Sequence, residues 1–186
     1  MRVVVGISGA SGAALAVRII ERLVSLAAEI HLVASPAAGR TLDHEVGPGA
    51  LARLGGMVHR AHDPADVGAS IASGSFRTDG MIVAPCSMNS LAAITASLTG
   101  NLLVRAADVH LKERRPLVLL PREAPLHLGH LRNLCAVTEL GAIVLPPVPA
   151  FYNRPRTLEE AVDQIAARAI DLLRLPIAQQ APAWEG

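Results

Sequence analysis

Short apolar runs alternate with helical patterns along the chain, and this alternation limits the possible folds more than any other feature. The apolar runs predict strands at residues 3–7, 30–34, 57–59, 81–84, 117–120 and 142–145. Apolar residues at helical spacing predict helices at roughly 12–27, 37–46, 87–98, 102–113, 128–140 and 157–173. Apolar strands that alternate with helices form parallel sheets covered on both faces, so we expect an α/β protein with a doubly wound parallel sheet.

The length and composition favour a single domain. The chain has 186 residues, 51% of them hydrophobic, and it shows neither an internal repeat nor a linker. We expect one domain over residues 1–175. Residues 176–186 have little periodicity, which predicts a tail packed on the surface or at a subunit interface. Thr157 and Glu160 predict a capping box at the start of the last helix.

Charge and residue usage exclude several classes of protein. The formal net charge is +1 and aromatic residues make up 2% of the chain, which argues against nucleic-acid binding. No apolar run reaches the ~18 residues of a membrane span, and helical spacing continues across an apparent signal-peptide cleavage site at residues 14–16. Cys86 and Cys135 are isolated and are expected to be small buried hydrophobes. We therefore predict a cytoplasmic protein.

Small or polar residues follow four of the predicted strands. The carboxyl ends of parallel strands meet at one edge of the sheet, where α/β proteins bind their ligands. The candidate segments are residues 8–12, Ser35, residues 86–90 and residues 121–123. These segments therefore define a candidate binding site.

The turn Ser8-Gly9-Ala10-Ser11-Gly12 has two interpretations. Small side chains let backbone amides and a helix N-terminus approach an anion, and Ser11 adds a hydroxyl. The alternative is a tight strand-to-helix turn that needs glycine, since the spacing matches neither a dinucleotide fingerprint nor a P-loop. Residues 87–90 open another helix, where serine is also an ordinary cap. Two such helix starts side by side suit a mononucleotide such as FMN.

Lys112 is the only lysine beside 16 arginines. Its ammonium is a compact point charge that suits a phosphate oxygen in a tight pocket. Helical spacing places Lys112 on one face with Arg105 and Asp108. The alternative is an exposed Asp108–Lys112 ion pair at i, i+4.

Three further residues have open roles. His127 and His130 are three residues apart and could bind a metal, although no third ligand stands near them in the sequence. Arg168 lies at the edge of an apolar helical stripe. It is either a surface arginine whose stem covers apolar groups or an anion ligand.

Four stretches cover much of the chain: "GISGASGAALAVRI", "PCSMNSLAAI", "RAADVHLKERRPLVLLPREAPLHLGHL" and "GAIVLPPVPAFYNRP". Together they resemble the UbiX-type flavin prenyltransferases, relatives of the phenolic-acid decarboxylase accessory subunits. The resemblance implies a flavodoxin-like, Rossmann-type fold, a homododecamer with active sites at subunit junctions, and no metal. It also implies transfer of a dimethylallyl group from dimethylallyl phosphate to N5 and C6 of reduced FMN. The prenylated FMN then serves a UbiD-type decarboxylase.

The resemblance also implies the roles of individual residues. The catalytic set is Ser11, Glu45, Glu123 and Lys112. The FMN contacts are Gly9, Ala10, Ser11, Ser35, Ser87, Met88, Asn89, Ser90 and Arg122. The prenyl-phosphate ligands are Tyr152 and Arg168, with Arg105, Lys112, Arg122 and Glu123 around the same phosphate.

Val67 and the segment Met88-Asn89 depart from the family pattern, and two other functions stay open. Val67 stands where some members carry a Trp whose ring can shield the allyl cation, and Met88-Asn89 replaces small residues. One rival is an FMN-dependent cysteine decarboxylase of the phosphopantothenoylcysteine type, whose P-x-M-N-x-x-M-W segment is missing here. The other is a non-catalytic flavin-binding subunit, which would have no use for so many cations.

Overall fold

The computed structural model describes residues 1–184. Within them six strands form one parallel sheet in the order β3-β2-β1-β4-β5-β6. The strands are β1 Arg2–Ile7, β2 Glu29–Ala34, β3 Arg60–His62, β4 Gly80–Cys86, β5 Leu117–Pro121 and β6 Ile143–Val144. The seven helices of the same residues are α1 Ala13–Ser25, α2 Pro36–Glu45, α3 Ala50–Met57, α4 Met88–Thr95, α5 Leu102–Lys112, α6 Leu128–Glu139 and α7 Leu158–Asp171.

The strand order is that of a Rossmann-type doubly wound sheet and confirms the predicted fold class. The chain runs outward from β1 through β2 to β3, and then crosses back to β4 on the other side of β1. The strand order therefore reverses between β1 and β4. A crevice opens at this reversal beyond the carboxyl ends of the strands, which is where such sheets bind ligands.

The core consists of two apolar layers, one on each face of the sheet. Within β1, Val3, Val5 and Ile7 pack into the layer beneath α1 and α7, while Val4 packs into the layer beneath α4 and α5. These side chains are almost fully buried. This alternation explains why the central strands carry apolar side chains on both faces, and each buried aliphatic side chain contributes about 1.5–3 kcal/mol.

The prediction for residues 57–59 was wrong. Helix α3 was missed and extends through Met57, and the following edge strand β3 begins only at Arg60. Leu54 packs into the core, whereas Arg60 and Ala61 are exposed on β3. A short apolar run cannot be assigned to a strand or to a helix end by periodicity alone. The other predicted strands and helices are present, with boundaries shifted by up to three residues.

The start of α7 is capped as predicted. Thr157 Oγ1 accepts from the Glu160 amide at 3.1 Å, and the Glu160 carboxylate accepts from the Arg156 amide at 2.6 Å.

Only one of the two cysteines is buried as predicted. Burial raises the pKa of Cys86 to about 12, so this thiol is inert. Cys135 is exposed, contrary to expectation, because it lies on the outer face of α6. No helix within residues 1–184 is long and apolar enough to cross a bilayer.

Candidate functional site

The candidate site is a cleft of about 610 Å³ beyond the carboxyl ends of β1 and β5. It brings together four of the residues predicted from the sequence: Ser11, Glu45, Arg122 and Glu123. Residues 146–149 and side chains from α1 and α7 complete its walls. The cleft therefore lies where the strand pattern placed it.

Ser8 joins the ends of two strands at this edge of the sheet. Its hydroxyl donates to the Pro85 carbonyl at 2.7 Å and accepts from the Ser87 amide at 2.7 Å. The side chain is buried, and both hydrogen bonds stay within the chain. Ser8 thus fixes the distance between β1 and the start of α4.

The N-terminus of α1 holds a carboxylate of the same chain. The Gly12 and Ala13 amides donate to Glu45 Oε2 at 2.9 and 2.7 Å. Burial alone would raise the pKa of Glu45. The hydrogen bonds from Ser11, Ala13 and Gly12, together with the charge of Arg122, outweigh burial and hold this pKa below its usual value. Glu45 is therefore ionised at neutral pH and lies against the turn.

The two glycines of the turn are accordingly explained by packing and backbone conformation. Gly12 has φ 108°, in the left-handed region that favours glycine. A Cβ at Gly9 would overlap the side chain of Ala37, so the turn needs glycine there to approach α2. The tight-turn interpretation holds at both positions. Because Glu45 accepts from the Gly12 and Ala13 amides, the anion that they bind in this chain is an internal one.

Serine hydroxyls cap the two helices that face the same edge of the sheet. Ser35 Oγ accepts from the Ala38 amide at 3.3 Å at the start of α2. Ser87 Oγ accepts from the Ser90 amide at 3.2 Å and donates to the Ser90 hydroxyl at 3.1 Å. Met88 is buried in the core, whereas Asn89 is exposed at this edge. A ligand could meet Asn89 and the hydroxyl groups here, but little of the Met88 side chain.

Arg122 links the strand end to the turn. Its amide donates to the Cys86 carbonyl at 3.1 Å, which fixes the end of β5 beside β4. Its side chain lies close to Gly12, since a Cβ added there would be 3.8 Å from Arg122 Cγ. The guanidinium is therefore positioned beside both the turn and Glu45.

Tyr152 and Arg168 line a second cleft of about 380 Å³. It shares Pro146, Val148 and Ile165 with the first cleft, so the two are neighbours. Arg168 is exposed at this cleft, as an anion ligand would be.

Trp184 also lines the second cleft, and the sequence analysis missed it. Its ring meets the Tyr152 ring edge to face, with centroids 5.1 Å apart. The tail reaches this position because the Asp171 carboxylate accepts from the Gln180 and Ala181 amides at 2.7 and 2.9 Å. The sequence signal that could have indicated this role is that the only tryptophan of the chain stands in a tail without periodicity. Tail residues 185–186 lie outside the described part of the chain.

Lys112 and Arg105 are not brought to either cleft. Lys112 precedes β5 and Arg122 follows it, so the length of a five-residue strand, about 16 Å, separates the two positions. Lys112 pairs with the adjacent Glu113, and Arg105 Nη1 donates to Asp108 at 2.9 Å. The predicted alternative of an Asp108–Lys112 ion pair is therefore wrong.

The histidine pair at the start of α6 has a structural role. His127 Nδ1 accepts from the Gly129 and His130 amides and caps the helix, and the two rings stack 3.6 Å apart. His127 Nδ1 is thus occupied by the helix cap and is not free to bind a metal.

A second group of possible metal ligands lies at the opposite edge of the sheet. Among the described residues, Glu29, His31 and His59 have ligand atoms within 4.8 Å of one another. Glu29 Oε1 is 2.7 Å from Arg2 Nε and 3.1 Å from His31 Nε2. Arg2 therefore already neutralises the carboxylate, and the group forms a hydrogen-bonded network at the amino ends of β1 and β2.

Known proteins resemble this chain over nearly its whole length. The flavoprotein family model matches residues 1–169. Flavin prenyltransferase UbiX of Thauera aromatica is 52% identical over 95% of this chain and 91% of its own. The structure of AnUbiX (PadA1) in complex with FMN and dimethylallyl pyrophosphate is 43% identical, with TM-score 0.94 over 100% of this chain and 97% of that chain. A dodecameric FMN-dependent UbiX-like decarboxylase of Escherichia coli O157:H7 is 45% identical, with TM-score 0.93 over 100% of both chains.

Fold and cleft thus define an α/β protein of the type that binds a mononucleotide at its strand ends. The chain belongs to the flavoprotein family and, within it, to the UbiX-type flavin prenyltransferases.

Proposed function

We propose that this protein is a flavin prenyltransferase, which joins the dimethylallyl group of dimethylallyl phosphate to N5 and C6 of reduced FMN. The observation that carries the proposal is the pair of adjoining clefts. One holds an ionised Glu45 beside Arg122 and Glu123, and the other holds Tyr152 and Arg168. A non-catalytic flavin-binding subunit would need only the first cleft.

The groups at the strand ends fit a flavin mononucleotide. The N-termini of α2 and α4 face the same edge, where their positive ends favour a phosphate. Ser35, residues 87–90 and Arg122 would hold FMN there, with residues 9–11 along its ring system. Glu45 already occupies the end of α1, so the phosphate belongs with α2 and α4.

The second cleft suits the leaving phosphate of the prenyl donor. Breaking the carbon–oxygen bond places negative charge on the phosphate and positive charge on the allyl fragment. Arg168 stabilises that negative charge from the second cleft and Arg122 from the adjoining first cleft, and Tyr152 donates its hydroxyl to a phosphate oxygen. Glu123 stands beside Arg122 in the first cleft and, in its protonated form, hands its proton to the departing phosphate.

Glu45 and Ser11 manage the proton at the flavin. The lowered pKa of Glu45 means that this carboxylate begins ionised and can accept a proton directly or through the Ser11 hydroxyl. The amides of Gly12 and Ala13 hold the carboxylate in one orientation. The tight glycine turn thus serves the reaction by fixing its proton acceptor.

The proposed site needs a second copy of the chain. Lys112 and Arg105 lie away from both clefts in one chain, so they reach a prenyl phosphate only from a neighbouring subunit. Large apolar side chains are exposed and available for such contacts: Val148 and Leu158 at the clefts, and Leu126, Leu128, Leu131 and Phe151 elsewhere on the surface. We therefore propose a homododecamer with active sites at subunit junctions. Its cytoplasmic location and delivery of prenylated FMN to a UbiD-type decarboxylase are parts of the same proposal.

The product distinguishes this function from its rivals. The purified protein is incubated anaerobically with reduced FMN and dimethylallyl phosphate, and the released flavin is weighed by mass spectrometry. We expect the mass of reduced FMN plus one dimethylallyl group less one hydrogen. If FMN stays unmodified in incubations with dimethylallyl phosphate and with dimethylallyl diphosphate, the result contradicts the proposal. Loss of carbon dioxide from a cysteinyl substrate would favour the decarboxylase.

A further inference from the structure

Arg115 binds the backbone of the segment that lies against Lys112. Its Nη1 donates to the Phe76 carbonyl at 2.9 Å and to Thr78 Oγ1 at 3.3 Å, and its Nη2 donates to the Gly74 carbonyl. The side chain is only 16% exposed, although it carries a charge. A planar guanidinium can make these bonds in fixed directions, which a lysine ammonium cannot.

The segment held in this way packs directly on the lysine. A Cβ at Gly74 would lie 2.7 Å from Lys112 Nζ and would overlap the Glu113 carboxylate. The absence of a side chain at Gly74 therefore leaves room for the ends of the Lys112 and Glu113 side chains beside this backbone. The neighbouring hydroxyls of Ser73 and Ser75 are 2.9 Å apart on the same turn.

Arg2 fixes the other end of the segment. Its Nη1 donates to the Arg77 carbonyl at 2.8 Å, its amide donates to Asp79 Oδ2 at 2.6 Å, and its guanidinium lies 4.3 Å from the centroid of the Phe76 ring. Residues 74–79 are thus held from two sides. Arg105 Nε anchors the residue before this turn by donating to the Ala72 carbonyl at 3.2 Å, whereas Arg115 bonds Gly74 itself, the residue beside Lys112.

We propose that Arg115 is a positioning residue for the prenyl-transfer reaction, acting by holding residues 73–76 against Lys112. This inference rests on the proposed role of Lys112 as a ligand of the prenyl phosphate in a neighbouring subunit. The Lys112 side chain is 46% exposed and has a flexible four-carbon stem. Contact with the fixed backbone at Gly74 and with Glu113 limits its conformations before the substrate binds, which lowers the entropy lost on binding.

The first test compares Arg115→Lys with Arg114→Asn, a matched control that removes the neighbouring exposed charge. Asn tolerates the left-handed conformation of residue 114, where φ is 56°. We expect Arg115→Lys to lower kcat/KM for dimethylallyl phosphate about tenfold or more, while FMN affinity stays within about twofold. Arg114→Asn should match the wild type in both. Equal losses of FMN affinity and substrate efficiency in Arg115→Lys would overturn the proposal.

A double-mutant cycle separates positioning from general support of the fold. If Arg115 acts through Lys112, then Arg115→Lys should cost little more in the Lys112→Ala background, within about twofold. Additive losses would overturn the proposal. Wild-type efficiency in Lys112→Ala would overturn both the role of Lys112 and this inference. The function itself would fail only if the wild type made no prenylated flavin.

A second variant keeps the test decisive if Arg115→Lys does not fold. Gly74→Ala leaves Arg115 in place but puts a methyl group against Lys112 and Glu113. It should lower kcat/KM for dimethylallyl phosphate and spare FMN binding. Wild-type kinetics in a folded Gly74→Ala protein would contradict the inferred contact.

Discussion

Glu45 shows how one side chain makes a glycine-rich turn part of the candidate site. Its carboxylate accepts hydrogen bonds from the backbone amides at the start of α1, and its pKa is held below the usual value. The sequence placed Glu45 near the flavin only through family resemblance. The contact between residues 33 positions apart could not be derived from local spacing, because it depends on how α2 packs on α1.

Glu45→Gln tests the proton acceptor. Glutamine can still accept from the Gly12 and Ala13 amides, but it cannot take a proton, so the turn should keep its shape. We expect a drop of about 10²–10⁴-fold in single-turnover prenylation, with FMN affinity nearly unchanged. Stopped-flow flavin absorbance measures the rate, and Glu139→Gln on the outer face of α6 is the control.

The pH dependence of the wild-type rate follows from the same carboxylate. The pKa of Glu45 is lowered, so its active ionised form persists below the ordinary carboxyl value of about 4.3. The rate should therefore not fall through this group between pH 7 and 5. A loss of rate in that range that is absent from Glu45→Gln would show that FMN raises the pKa of Glu45, and a loss that persists in Glu45→Gln would assign the titration to another group.

Among the secondary-structure elements, the buried strands and the long helices were predictable from the sequence. The edge strand β3, helix α3 and the position of the tail were not. Apolar runs located β1, β2, β4 and β5 because both faces of those strands are buried. Edge strand β3 is largely exposed and carries no such run. The prediction therefore placed a strand at the apolar end of α3 instead. The tail has little periodicity and was predicted to pack on the surface or at a subunit interface. Its Trp184 reaches the second cleft by a contact that no local pattern encodes.

Trp184 is expected to act as a wall of the prenyl-phosphate cleft. Its edge-to-face contact with Tyr152 should contribute about 0.5–1.5 kcal/mol, equivalent to roughly 2- to 12-fold in affinity. Trp184→Ala should therefore raise KM for dimethylallyl phosphate by about that factor, and Trp184→Phe should restore most of it. Steady-state kinetics at saturating FMN provide the measurement. An unchanged KM in Trp184→Ala would remove the tail from the site.

At the scale of the whole molecule, buried histidines make stability depend on pH. His110 Nδ1 lies 2.7 Å from the Ala106 carbonyl and Nε2 lies 2.9 Å from Thr78 Oγ1, inside the core. Burial lowers the pKa of His110 to about 4 from its ordinary 6.5. The unfolded chain therefore takes up this proton first as pH falls. Stability is lost from about pH 6.5 down to about pH 4.

The size of this acid effect can be measured by urea unfolding. With its pKa at about 4, His110 alone should remove about 2 kcal/mol between pH 7 and pH 5. His110→Asn should be less stable at pH 7 but should lose less on acidification. An equal loss in the variant and the wild type would assign the pH dependence to other groups, such as His62, whose pKa is also lowered to about 4.

If each site is completed between two copies of the chain, two variants that are each inactive should complement each other in a mixed oligomer. Lys112→Ala and Arg122→Ala chains carry different tags, are co-expressed, and are purified as oligomers that contain both. Each variant alone should be nearly inactive. In the mixture, about a quarter of the junctions should pair an intact Lys112 with an intact Arg122, so activity should return to about that fraction of wild type. Failure of the mixture to recover prenylation, with both tags and FMN present, would contradict the shared site.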